Sequence, residues 1–230
     1  LLPPITPAQR PQHIPLSFSQ ERLWFIDKLE GSRHYHIPSV LRLKGKLNTD
    51  ALQGAIQQII QRHESLRTTI EQTQDQPYQI INPSANWTMG KHDLTKTKDT
   101  EQELIVSLIN APFSLEKDYM LRADLIQTQK QEYTLVVTLH HIASDGWSTS
   151  VMVREVVALY NARIQKREAS LKPLPVQYAD YSIWQRQYLT SEILAKKLDY
   201  WKDKLEGTMS LELPTDKVRP ALQSTSGQSI

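Results

Sequence analysis

The chain has 230 residues, with 27 Lys or Arg against 25 Asp or Glu, a formal charge of +2, and no cysteine. That balance gives no basis for binding nucleic acid or an anionic membrane surface, and no apolar run approaches the roughly 20 residues that span a bilayer. The lack of cysteine excludes disulfides, thiolate nucleophiles and cysteine-ligated zinc, and fits a reducing, cytoplasmic compartment. The start, "LLPPITPAQRPQHIP", has neither the basic nor the apolar region of a signal peptide. It begins with leucine, so the chain is expected to be cut from something larger. Five prolines (Pro3, Pro4, Pro7, Pro11, Pro15) predict an extended linker over residues 1–14.

A first helix is predicted in "LSFSQERLWFIDKLEG", with Ser17 and Gln20 as a capping box and Gly31 at its end. "YHIPSVLRLKGKL" alternates like a strand. The next helix is the clearest: Asn48, Thr49 or Asp50 caps it, and Leu52, Ala55, Ile56, Ile59 and Ile60 follow helical spacing. "QRHESLRTTI" ends in a strand that forms a hairpin with "PYQII". Leu104, Ile105, Leu108 and Ile109 mark another amphipathic helix.

"MLRADLIQTQ" and "EYTLVVTLH" read as paired strands around a turn at Lys130 and Gln131. The second is apolar on both faces, as in a strand inside a sheet covered on both sides. "STSVMVREVVALYNARIQ" predicts a long helix, and "YADYSIWQRQYL" and "SEILAKKLDYWKDKLEG" two more. Trp184, Tyr188 and Trp201 read as helix-packing residues. The tail, "LPTDKVRPALQSTSGQSI", is irregular. The fold class is therefore α/β in the layered α+β sense, a mixed sheet with helices packed on it.

Between the apolar strand and the long helix stands "LHHIASDGWS", residues 139–148. Side chains alternate along a strand, so His140 and His141 point to opposite faces, and only one readily serves a given site. Asp145 and Gly146 precede a helix N-terminus, whose free N–H groups and dipole favour developing negative charge. Gly146 lets a substrate approach the backbone. An imidazole beside such a helix end suits acyl transfer. For two adjacent histidines alone, a satisfied core His140 and a plain N-cap Asp145 are the simpler reading. The whole string at a strand-to-helix junction favours a site. His34 and His36 form a pair without a third metal ligand and read as surface residues.

"HHIASDG" resembles the HHxxxDG signature of condensation domains of nonribosomal peptide synthetases, within the chloramphenicol-acetyltransferase-like superfamily. "LSFSQERLWFID" at 16–27, "RHESLRTTI" at 62–70 and "YADYSIW" at 178–184 resemble the family's first, second and fourth motifs, in the expected order. The tail "PTDKVRP" is also typical of these domains. The resemblance implies a chloramphenicol-acetyltransferase-like N-terminal lobe over 15–175. Residues 176–230 would be a helical segment crossing into a second lobe that lies outside this chain.

It further implies a tunnel between lobes, fed by donor and acceptor peptidyl carrier domains. No cofactor is bound directly; 4′-phosphopantetheine arrives on the carriers, and an adenylation domain neighbours the complete domain. His141 would face the tunnel and, with Gly146 presenting its N–H, form the catalytic pair. His140, Asp145, Arg62 and Arg67 would support the site, with Asp145 paired to an arginine from the other lobe. The chain alone is expected to be inactive or weakly active, because a tunnel between lobes needs both.

The intact histidine signature argues against heterocyclising relatives, and "DGWSTS" against epimerising ones; a lipid-loading starter domain stays open. The proline-rich start favours an internal elongation module. A carrier-independent acyltransferase using coenzyme A thioesters would share the histidine loop without the companion motifs. A non-catalytic carrier-docking module would need neither His141 nor Asp145.

Overall fold

The computed structural model describes residues 2–74, 76–96, 100–211 and 213–218. The final stretch of the tail, 219–230, lies outside these, as does Asp75 in the predicted hairpin turn. Two compact units divide the chain, 1–186 and 187–230.

In the first unit the chain runs β1 (Ile14–Pro15), α1 (Phe18–Glu30), β2 (His36–Lys44), α2 (Thr49–Arg62), β3 (Thr68–Thr73), β4 (Gln76–Ile81), β5 (Gly90–Asp93), α3 (Glu101–Asn110), β6 (Leu121–Gln129), β7 (Glu132–His140) and α4 (Gly146–Ile164). α5 (Tyr178–Tyr188) starts in this unit and its last two residues belong to the second, as does α6 (Ser191–Leu205). One sheet has the order β2-β7-β6-β5, antiparallel except for the β6–β5 pair. The other is the antiparallel sheet β1-β4-β3.

β7 lies inside the four-stranded sheet, and its two-sided apolar pattern explains why. Leu135 and Leu139 join Leu52, Ala55, Ile56, Ile59 and Ile60 of α2 and Leu159 of α4 in the main core. Val136, one residue out of phase, packs on the opposite face with Ile105 of α3 and Ile126 of β6. Helices therefore cover both faces, and the alternation of β7 decides which residue meets which helix. Ile59 and Ile60 are fully buried; truncating Ile59 to Ala should cost about 2–5 kcal/mol, read as a lowered midpoint in urea denaturation.

Helix ends follow their predicted chemistry. Ser17 and Gln20 form the capping box of α1, and Asn48 caps α2 by accepting the Ala51 N–H at 2.9 Å. Two strands have no counterpart in the predicted elements. β1 spans only two residues, and β5, "GKHD", has no apolar alternation and is a strand through its pairing with β6, its one parallel partner. At Gly90 a Cβ would come within 2.0 Å of Asp124 Oδ1, the oxygen that His92 engages at 2.8 Å.

The proline-rich start has no regular structure among its described residues before β1, and it is fastened to the rest of the first unit. The Ala8 N–H reaches Asp180 at 3.1 Å, Arg10 pairs with Glu64 at 2.7 Å, and the Trp184 indole donates to the Pro3 carbonyl at 3.1 Å. Trp201, read as a packing residue, is instead 58% exposed. Its neighbours Leu198 and Leu205 on α6 are exposed with it.

Candidate active site

β7 ends at His140, and the two histidines part as the alternation requires. His140 is fully buried. Its Nδ1 accepts the Ile142 N–H at 3.1 Å, which puts the ring proton on Nε2. Nε2–H then donates to Ser32 Oγ at 2.9 Å, and the Ser32 hydroxyl donates to the Asp27 carboxylate. Burial, reinforced by the neighbouring His36 and His141 imidazoles, the Arg122 guanidinium and the His34 imidazole, lowers the His140 pKa to about 4. The ring is a neutral structural group.

His36, opposite His140 across the β2–β7 ladder, corrects the expectation of a surface residue. It is half-buried, its Nδ1 donates to the Ile109 carbonyl at 2.9 Å, and Phe113 packs edge-on against both imidazoles. Burial lowers its pKa as well. His34 is exposed, and no metal-binding group of acidic, histidine or cysteine residues occurs among the described residues.

His141 is exposed and lines a cleft of about 730 Å³. Its backbone N–H donates to the Tyr35 carbonyl at 2.9 Å, and the Tyr35 ring stands edge-on to the imidazole. The loop is thus pinned at both histidines: His140 through its ring, His141 through its backbone. Arg22, Leu23, Tyr178 and Asp145 are among the other cleft residues. The first and fourth motifs meet below it, where Ser17 Oγ and the Tyr178 hydroxyl lie 2.9 Å apart. Gln79 ties the same region together, donating to the Pro15 carbonyl at 2.7 Å and to Ser182 at 2.9 Å.

Asp145 is the N-cap of α4. Its carboxylate accepts the Ser148 N–H at 2.9 Å and the Ser148 hydroxyl at 2.6 Å, and these bonds hold its pKa below the usual carboxylate range. It has no arginine partner among the described residues. Asp145→Ala should cost about 1 kcal/mol through loss of the cap, measurable as a drop of roughly 2–4 °C in thermal melting for a domain of this size.

Gly146 opens α4 and is exposed, with open space around an added Cβ, but it is not among the residues lining the cleft. Nor do the two arginines of the second motif line it. Arg62 donates through Nε to Glu155 at 3.1 Å and to the Lys172 carbonyl at 2.6 Å, joining α2 to α4. Arg67 donates to the Asn82 carbonyl at 2.6 Å, joining the start of β3 to the chain beyond β4.

Sequence reasoning passed over two cleft residues. His63 lies inside the second motif, and its Nε2 meets Glu155 Oε2 at 2.7 Å. Ser144, inside the histidine signature, is 93% buried, and its Oγ has no hydrogen-bond partner. A histidine following the last turn of an amphipathic helix carries no mark of its own; only the fold brings Glu155 to it.

A family model described as "Condensation domain" matches residues 10–230. Malpinin synthetase of Mortierella alpina is 41% identical over 231 residues, covering 98% of this chain and 3% of that protein. The dimodular nonribosomal peptide synthase of Bacillus subtilis is 39% identical, over 99% of this chain and 10% of its own length. The chain therefore spans a small fraction of the curated relatives it matches. Among solved structures, the X-domain from teicoplanin biosynthesis in complex with OxyB superposes with a TM-score of 0.83 at 31% identity, covering 96% of this chain and 50% of that one. The starter condensation domain of the rhizomide synthetase shares the fold, with a TM-score of 0.76 at 20% identity over 86% of this chain and 48% of the other. With a family match across nearly all of its length and a histidine loop set at the mouth of a cleft, the chain belongs to the condensation domains of nonribosomal peptide synthetases.

Proposed function

We propose that this chain contributes the histidine half of a peptide-bond-forming centre. The observation carrying the reading is His141, an exposed imidazole at a cleft, on a loop anchored from both sides. The substrates are two thioesters on 4′-phosphopantetheine arms of partner carrier domains. The acceptor amine nitrogen attacks the donor thioester carbonyl, a C–N bond forms, and the carbonyl oxygen takes up negative charge. The C–S bond then breaks, the donor arm leaves as a thiol, and the amine gives up one proton.

An α-amino group titrates near 7.7–8.0, so a useful share is neutral at pH 7 before any base acts. The task left to an imidazole is to hold the amine and to take the proton that becomes acidic once the C–N bond forms. His141 is accessible for this, whereas His140 has both ring nitrogens engaged. Asp145 orders the first turn of α4 beside it.

The chain covers about half the length of the solved structures it matches. In this reading the cleft is completed, and activity reached, in the whole condensation domain with its second lobe, adenylation domain and carriers. The experiment offers the complete module the same donor acyl group on its carrier and on coenzyme A. Product formed at least tenfold faster from the carrier supports the reading. Equal rates from coenzyme A would make the protein a carrier-independent acyltransferase.

A further inference from the structure

Beside the cleft lies a smaller cavity of about 140 Å³ that shares His63, Ser65 and Ser144 with it. Its other walls include Leu66, Val151 and Met152. At about 30 Å³ of liquid per water, the space holds roughly four to five waters, or a side chain of about four heavy atoms.

Two polar groups in it have unused hydrogen-bonding capacity. The first is Ser144, with Oγ buried and unpartnered. Leaving a buried hydroxyl unpaired is costly, and a ligand group that pairs with it recovers that cost. The second is His63. Its Nε2 faces the Glu155 carboxylate, which also accepts from Arg62 Nε. Burial pushes the Glu155 pKa up, but the bonds from His63 and Arg62 outweigh it, and the carboxyl stays below its usual range and ionised. An ionised carboxylate only accepts, so Nε2 carries the ring proton. That leaves Nδ1 as the free nitrogen, an acceptor in the neutral ring, with no protein hydrogen bond among the described residues. Glu155 orients this imidazole much as a carboxylate orients a metal-bound or triad histidine.

We propose that His63 and Ser144 form a specificity subsite for a short side chain ending in a neutral amide or hydroxyl, with asparagine the best fit. The side-chain amide donates N–H to His63 Nδ1 and accepts from the Ser144 hydroxyl, while its methylene packs on Leu66, Val151 and Met152. A leucine side chain matches the volume but leaves Ser144 unpaired. A charged side chain is excluded by desolvation, since the nearby Glu155 carboxylate is already taken by His63 and Arg62. The side chain can belong to the donor acyl group or to the acceptor amino acid. The inference rests on the peptide-bond-forming reading.

The test uses the complete module, with asparagine and leucine loaded in turn on the acceptor carrier and, separately, as the terminal donor residue. In one of the two arms, wild type should favour asparagine by roughly tenfold or more in kcat/KM, and Ser144→Ala should cut that preference roughly three- to tenfold, the worth of one hydrogen bond. Leucine turnover should hold or rise in the variant, because the hydroxyl that leucine leaves unpaired is gone, which a merely structural role for Ser144 would not give. The arm showing the effect identifies the source. A wild type without preference, or a variant slowing both substrates equally, overturns the subsite. Calorimetric titration of the same two proteins with asparagine amide and leucine amide reads binding without turnover. Asparagine amide should bind wild type three- to tenfold tighter than Ser144→Ala, and equal binding overturns the subsite. A module that makes no product yet shows this binding difference would sink the peptide-bond reading while leaving the subsite standing.

Discussion

Replacing His141 with Ala should lower peptide-bond formation in the complete module by about 10²- to 10⁴-fold, the usual contribution of a positioned proton-transfer group. The fold should barely notice, because the ring is exposed and its anchoring contact is a backbone hydrogen bond; such surface substitutions fall within about 0.5 kcal/mol. Product measured by mass spectrometry, beside a denaturation curve of the same variant, separates the two effects. His140→Ala should behave in the opposite way. It removes a buried ring and strips partners from Ser32 Oγ and the Ile142 N–H, so it should unfold more readily. A His141→Ala variant that keeps near-normal turnover would remove His141 from the reaction.

The second large effect is acid sensitivity. His140 titrates near 6.5 in the unfolded chain and at about 4 in the fold. Above 6.5 the ring is neutral in both states and its contribution is complete. Between 6.5 and 4 the unfolded chain binds a proton that the fold refuses, so stability falls with pH at up to about 1.4 kcal/mol per unit. The loss amounts to about 3 kcal/mol by pH 4. His36, lowered in the same direction, adds to it, and the depressed Glu155 and Asp145 carboxylates contribute only toward the lower end. Urea titrations at pH 6.5 and pH 5 isolate the histidines, with about 2 kcal/mol expected between them. His140→Gln should be less stable at neutral pH yet lose less across that interval. An equal loss in both proteins would mean that His140 is not the titrating group.

Much of this was legible in the residues. The spacing of Leu52, Ala55, Ile56, Ile59 and Ile60 defines α2 and its buried face, and the two-sided pattern of β7 places it inside the sheet. Alternation alone separates the places of His140, buried, and His141, exposed at the cleft. What sequence could not carry was long-range pairing of short or polar segments. β1 and β5 are strands because of their neighbours, and the proline-rich start is held by Asp180 and Trp184, more than 170 residues away. Arg62, His63 and Glu155 form one cluster although Glu155 lies 92 residues beyond His63, so the motif shows two members and hides the third.

The link from His140 through Ser32 to Asp27, with the Tyr35 carbonyl on the His141 N–H, makes the short turn after α1 a gauge for the loop. This brief stretch of chain sets where the imidazole of His141 begins. Lengthening Gly31–Tyr35 by even one residue would break that gauge, so a stretch that looks tolerant of insertions should be among the least tolerant in the molecule.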